Sequence, residues 1–135
     1  MSGLQYYCYP GVGVDNRNNF SYSQAVRVGD TIQCAGQGEP VWQPCSCSVV
    51  IAVRIVSLTS LLGGWDPQGP VHVIPTEINA QIDQAFKNVD FNLKHAGGKG
   101  WSQVFRVNSY HVPLNNEANM AMVRNFRKWM PDHQP

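Results

Sequence analysis

Residues 75–98 read PTEINAQIDQAFKNVDFNLKHAGG, and this stretch decides the fold class. Ile78, Ile82, Ala85, Phe86, Val89 and Leu93 recur at the three-to-four spacing of one buried helical stripe. Thr76 is the expected N-cap, and Glu77 suits the positive start of a helix. Ala96-Gly97-Gly98 closes the segment, where a glycine can take the left-handed conformation that ends many helices.

Upstream of this helix the period changes. Phe20, Tyr22, Gln24 and Val26 alternate with Ser21, Ser23, Ala25 and Arg27, which is a strand pattern. Val28-Gly29-Asp30 reads as a turn and Thr31 to Ala35 as a second strand, so the pair forms a hairpin closed by Gly36-Gln37-Gly38. Further back, residues 6–13 (YYCYPGVG) suggest a short strand and a Pro-Gly turn. Residues 15–19 (DNRNN) read as a polar loop. Downstream, Trp101 to Val112 reads as a strand that Pro113 stops. Asn115 or Asn116 then caps a second helix, with Ala118, Ala121, Met122, Phe126 and Trp129 on its apolar face and Pro131 at its end. The order of elements predicts an α+β domain with a mixed sheet. Only three or four strands are visible, which would leave a raw edge.

At 135 residues the chain fits one domain with its own core. Ten Lys+Arg against nine Asp+Glu give a net charge of +1. Without a block of like charge, no footprint for nucleic acid or anionic lipid is visible. The first residues, MSGLQYYCYPG, do not resemble a secretory signal. No Arg-rich amphipathic leader is visible either, so the expected compartment is cytoplasmic, with the mitochondrion as the alternative. Cys8, Cys34, Cys45 and Cys47 lack the spacing of a disulfide framework, and free thiols are the simplest reading. Cys45 and Cys47 are too close, and too few, for a structural zinc site. Cys34 reads as a small buried apolar residue rather than a nucleophile.

Residues 39–63 differ in composition from the rest. The run 49–62, VVIAVRIVSLTSLL, is short and carries Arg54, so it is a poor membrane span. Its β-branched residues could form a strand. If residues 39–63 are removed, the flanks join as CAGQG-GWDPQ, a connection of ordinary length. Reverse translation allows a splice donor at Gly38-Glu39, a branch point at Leu58-Thr59 and an acceptor at Leu62-Gly63, all in phase. The expectation is that residues 39–63 are a translated intron standing outside the domain. The rival is a genuine surface insertion, which long loops tolerate.

Outside that segment the chain resembles the Rid family of reactive intermediate imine/enamine deaminases, also described as endoribonuclease L-PSP-like proteins. The resemblance covers residues 20–38 and 64–135. It is carried by Tyr22-Ser-Gln24, Val28-Gly29-Asp30, Ala35-Gly36-Gln37, the helix segment Gln84-Ala-Phe86-Lys-Asn88-Val89, Tyr110-His-Val-Pro-Leu114-Asn115 and Met130-Pro-Asp-His133-Gln-Pro135. It implies a chorismate-mutase-like fold with two helices on one face of the sheet, and a homotrimer with a cleft at each subunit interface. The implied reaction is addition of water to an imine or enamine, releasing ammonia and a keto acid, with no metal or organic cofactor.

By the same resemblance, the substrate-binding residues are Tyr22, Ala35, Gly36, Gln37, Asn88 and Arg106. Each also has a plain structural reading. Tyr22 can be a half-buried strand aromatic and Asn88 a side chain bonded within its own helix. Arg106 can be a solvated strand charge. Ala35 stands where many family members have a serine, so one hydrogen bond to substrate is lost. The family's anion-binding arginine and its acidic residue fall beyond Pro135. Arg124 and Arg127 belong to the second helix and do not replace that arginine. The expected function is therefore imine/enamine hydrolysis, impaired in this form. The alternatives are a non-catalytic small-metabolite-binding or regulatory trimer, and a ribonuclease or translation inhibitor, which the charge balance does little to support. The expected partners are a small imine or enamine and further copies of the chain, without nucleic acid or membrane.

Overall fold

The structure, a computed structural model, describes residues 3–35, 48–54, 76–112 and 114–135, with the backbone alone for 48–54 and 112. Its elements are β1 (Leu4–Tyr7), α1 (Val12–Phe20), β2 (Ala25–Val28), β3 (Thr31–Cys34), β4 (Ser48–Arg54), α2 (Ile78–His95), a 3₁₀ turn (Gly100–Gln103), β5 (Arg106–Val112) and α3 (Asn116–Trp129). The strands form one sheet in the order β1-β2-β3-β4-β5. The α+β class expected from the sequence is observed. The sheet is antiparallel at every described pairing rather than mixed, and it has five strands rather than three or four.

The additional strand comes from the segment expected to stand outside the domain. Ser48–Arg54 lies between β3 and β5, with a seven-residue ladder to β5 from Ser48↔Val112 to Arg54↔Arg106. Its described pairing to β3 is Gln33↔Arg54. The rest of residues 39–63 lies outside the described residues, as do Gly36 and Gln37.

The stripe read along α2 forms the core. Ile82, Ala85, Phe86, Val89 and Leu93 are fully buried, joined by Ile32 and Cys34 from β3, Ala25 from β2, and Ala118, Ala121 and Met122 from α3. Phe86 stacks on Trp101 with ring centroids 4.5 Å apart, and the Trp101 indole N–H donates to the Phe86 carbonyl at 2.9 Å. That bond gives the one polar atom of a buried indole a partner. It also explains why the strand expected from Trp101 starts only at Arg106. Gly100, at φ 71°, begins a 3₁₀ turn that points Trp101 inward.

The helix ends follow local chemistry. Glu77, not Thr76, is the N-cap of α2, and its carboxylate accepts from the backbone N–H groups of Asn79 and Ala80. Those bonds hold the Glu77 carboxyl below its ordinary range. At the other end, Gly97 N–H bonds to Lys94 O at 3.0 Å and Gly98 N–H to Leu93 O at 2.8 Å. This is a Schellman closure, with Gly97 at φ 83°. A β-carbon on Gly97 would have room, its nearest neighbour being Arg27 Nη1 at 3.5 Å. The cost of Gly97→Ala is therefore conformational, and we expect a loss of about 1–2 kcal/mol in urea unfolding with an unchanged slope. On α3, Asn115 is the N-cap, accepting from Ala118 N–H at 2.8 Å.

The expected polar loop at 15–19 is helical instead. Val12, Gly13 and Asn16 are its buried residues. With Tyr9 and the half-buried Phe91 of α2, Val12 makes a second small cluster. The helix is tied at Asn16, whose amide donates to the Tyr22 hydroxyl at 2.9 Å.

Register assigns the faces. Tyr7, Ala25, Ile32, Cys34 and Val107 face or pack against the helical layer. The pairs Tyr6↔Val26, Val26↔Gln33, Gln33↔Arg54 and Arg54↔Arg106 lie on the other face. There Leu4, Tyr6, Val28 and Tyr110 are exposed, Tyr6 at 63%.

Candidate functional site

Tyr7, Ala25 and Cys34 end β1–β3 on one side. Arg54 and Arg106 lie at nearly the same level, where the β4–β5 ladder begins and runs on outward to Ser48 and Val112. This end of β1–β3 holds several of the described residues that the sequence singled out. Gln24 ties it together. Its N–H donates to Tyr7 O at 2.9 Å, and its carbonyl accepts from Ala35 N–H at 2.7 Å and from the Asn92 amide at 2.7 Å. One residue thus joins β1, the end of β3 and the last turn of α2.

Tyr22 lies just before β2, half-buried, with its hydroxyl accepting from Asn16. Ala35 follows β3 and is held through its backbone. Arg106 opens β5 level with Gln33, two strands away, or about 10 Å at the usual strand spacing, and β5 runs from there past the ends of β2 and β3. Arg106 is exposed and belongs to the open face. Asn88 lies behind the sheet on α2, 5% exposed, with its amide oxygen accepting from Gln84 at 2.9 Å. The structure therefore ties Ala35 to Gln24, two residues after Tyr22, sets Arg106 level with Gln33 on the open face, and separates Asn88 from Arg106 by the thickness of the sheet. Gly36 and Gln37 lie outside the described residues.

Two residues at this end were not singled out as site residues. Both amide atoms of the fully buried Gln24 side chain, and the amide oxygen of Asn92, have no hydrogen-bond partner. Buried amide atoms are almost always paired. All three belong to fully buried residues and are interior atoms. The period-2 pattern of residues 20–27 put Gln24 on the same face as Tyr22. The tie to Asn92, 68 residues later, has no signature in that pattern.

The thiol of Cys34 is fully buried, and desolvation pushes its pKa up to about 12. It stays protonated and is no nucleophile, as the sequence suggests. Among the described residues, no cluster of three or more His, Cys, Asp or Glu could hold a metal, and no helix is long and apolar enough to cross a membrane. Cys45 and Cys47 lie outside the described residues.

Away from the sheet end, two clefts flank α3. One, of about 490 Å³, is lined by Ser109, Tyr110, His111, Leu114, Met122 and Phe126, among others. The other, of about 420 Å³, lies against residues 131–135. His111 sits in the first. Burial lowers its pKa below the ordinary 6.5, and its Nδ1 is buried without a partner. Between that depressed value and about 6.5, the folded chain binds fewer protons than the unfolded one, so stability falls as pH drops through this window. We expect His111→Gln to flatten the pH dependence of urea unfolding between about pH 7 and 5. An unchanged slope in the variant would assign the dependence to another group.

Compared with known proteins, the chain matches no family model, no curated protein and no solved structure.

Proposed function

We propose that this chain is a Rid-type, chorismate-mutase-like unit that binds small imines or enamines derived from amino acids and hydrolyses them poorly. The observation that supports this most directly is that Ala35 is bonded to Gln24, two residues after Tyr22, while Arg106 opens β5 level with Gln33 of the same hairpin. Arg106 would meet the substrate carboxylate and Tyr22 its nitrogen. Poor turnover follows from the chemistry of these groups. Addition of water to an imine needs a base to take the water's proton. The polar side chains Asn16, Tyr22, Gln24, Asn92 and Arg106 include no carboxylate.

The open sheet face, with Leu4, Tyr6, Val28 and Tyr110 exposed, supports assembly into the homotrimer that the resemblance implies. Contiguous exposed apolar residues on one face favour association. Binding without turnover, the second reading, draws on the same absence of a carboxylate among those five side chains.

An amino-acid oxidase supplying fresh imine, with ammonia release followed against the uncatalysed rate, tests the proposal. The expected result is a small acceleration that Arg106→Gln removes. Saturable keto-acid binding with no acceleration would favour the non-catalytic reading. Neither binding nor acceleration would reject both.

A further inference from the structure

We propose that the cleft between α3 and residues 131–135 is a binding site for a small monocarboxylate with an apolar body. Arg127 would take the carboxylate, and Val123, Phe126, Met130 and Pro131 the body. The cleft measures about 420 Å³, within the range of sites that hold small organic ligands.

Its floor is rigid. Met130 is buried, and the Phe126 ring meets Phe86 of the main core edge-on, with centroids 5.4 Å apart. Its far wall is pinned as well. His133 Nε2 donates to Val104 O at 2.6 Å, which holds residues 131–135 across from α3. The cleft is half-open, with Arg127, Pro131, Gln134 and Pro135 exposed along it, so a carboxylate would sit at the solvent-facing rim while the hydrocarbon body covers Phe126 and Met130.

The choice of an anion comes from the cations of α3. Arg124 is engaged by Asp83 and by Asn79 Oδ1. The Lys128 ammonium lies 5.7 Å from the centre of the Trp129 ring. Arg127, which lines the cleft, has neither an ion pair nor a hydrogen bond to any described residue. An arginine fork beside an apolar cavity matches a planar carboxylate attached to a hydrocarbon body. This site shares no residue with the sheet end that holds Tyr22 and Ala35, so it stands or falls separately from the proposed hydrolysis.

The test titrates the full chain with phenylacetate and hexanoate, and with hexan-1-ol as the uncharged control, following chemical shifts or heat. Both acids should saturate, and hexan-1-ol should bind roughly tenfold more weakly or worse. Arg127→Gln should weaken both acids roughly tenfold with an unchanged unfolding midpoint. Val123→Phe should block them by filling the cleft. Tyr22→Phe should leave binding as it is. No saturation by either acid up to about 10 mM, equal binding of acid and alcohol, or an Arg127→Gln variant that binds normally would each overturn the proposal.

Discussion

Phe86→Ala lowers the stability of this domain by about 3–5 kcal/mol, a large share of the roughly 5–15 kcal/mol available to a domain of this kind. The ring is fully buried, stacked on Trp101 at 4.5 Å and edge-on to Phe126 at 5.4 Å. Removing it opens a cavity where α2, α3 and the 3₁₀ turn meet. The backbone bond from the Trp101 indole to residue 86 survives, because a carbonyl accepts it. The loss therefore comes from packing rather than from an orphaned donor. Phe86→Leu keeps most of the volume and should cost less than about 1.5 kcal/mol. The measurement is the urea midpoint of both variants at constant slope. A Phe86→Ala loss below about 1 kcal/mol would mean that the site collapses around the missing ring and that the three elements are not rigidly joined there.

The same residue shows what could be read in the sequence. Phe86 belongs to a stripe whose period is fixed by α2 alone, so the stripe and its burial follow from local spacing. The β2–β3 hairpin was equally plain, because Gly29 sits at φ 59° in the turn between two short apolar runs. Contacts between distant residues decided the rest. Residues 12–20 lack a helical apolar stripe, yet Asn16 is bonded to Tyr22 and Val12 packs beside Tyr9 and Phe91. Trp101 fits a strand pattern, but the Phe86 carbonyl draws its indole inward. Glu77 displaced Thr76 as N-cap because a carboxylate can reach two N–H groups at once.

At the candidate site, Tyr22 and Ala35 were legible as neighbours because a hairpin joins them. Asn88 and Arg106 were grouped with them by resemblance, and the sheet lies between those two. Their relation depends on the order of strands, which no local pattern encodes. Gln24 was visible in the motif Tyr22-Ser-Gln24, but its role as a junction depends on Asn92.

Deletion of residues 39–63 should abolish cooperative folding. The sequence argument treats this segment as foreign text, and the flanking residues would join without it. The structure gives its middle part, Ser48–Arg54, the slot between β3 and β5. Without β4, β5 loses a seven-residue ladder, and no other described strand borders it. At about 0.5–1.5 kcal/mol net for each backbone bond, that ladder alone approaches the stability of a small domain. The origin of these residues in the message and their place in the fold are separate questions. A run rich in Val and Ile will enter an open sheet slot whatever its history, since an unpaired strand edge is costly to leave bare. A single substitution sharpens the point. Ile51 pairs with Ser109 at the middle of the ladder. Proline is confined to edge strands and bulges, so at this central position it should destabilise the domain. Circular dichroism and urea unfolding of the deletion and of Ile51→Pro make the comparison. If the deleted chain unfolds as cooperatively as the full one, and Ile51→Pro is neutral, β4 has no part in holding the domain together. The sheet would then end at β3, and Arg106 would no longer be held level with Gln33.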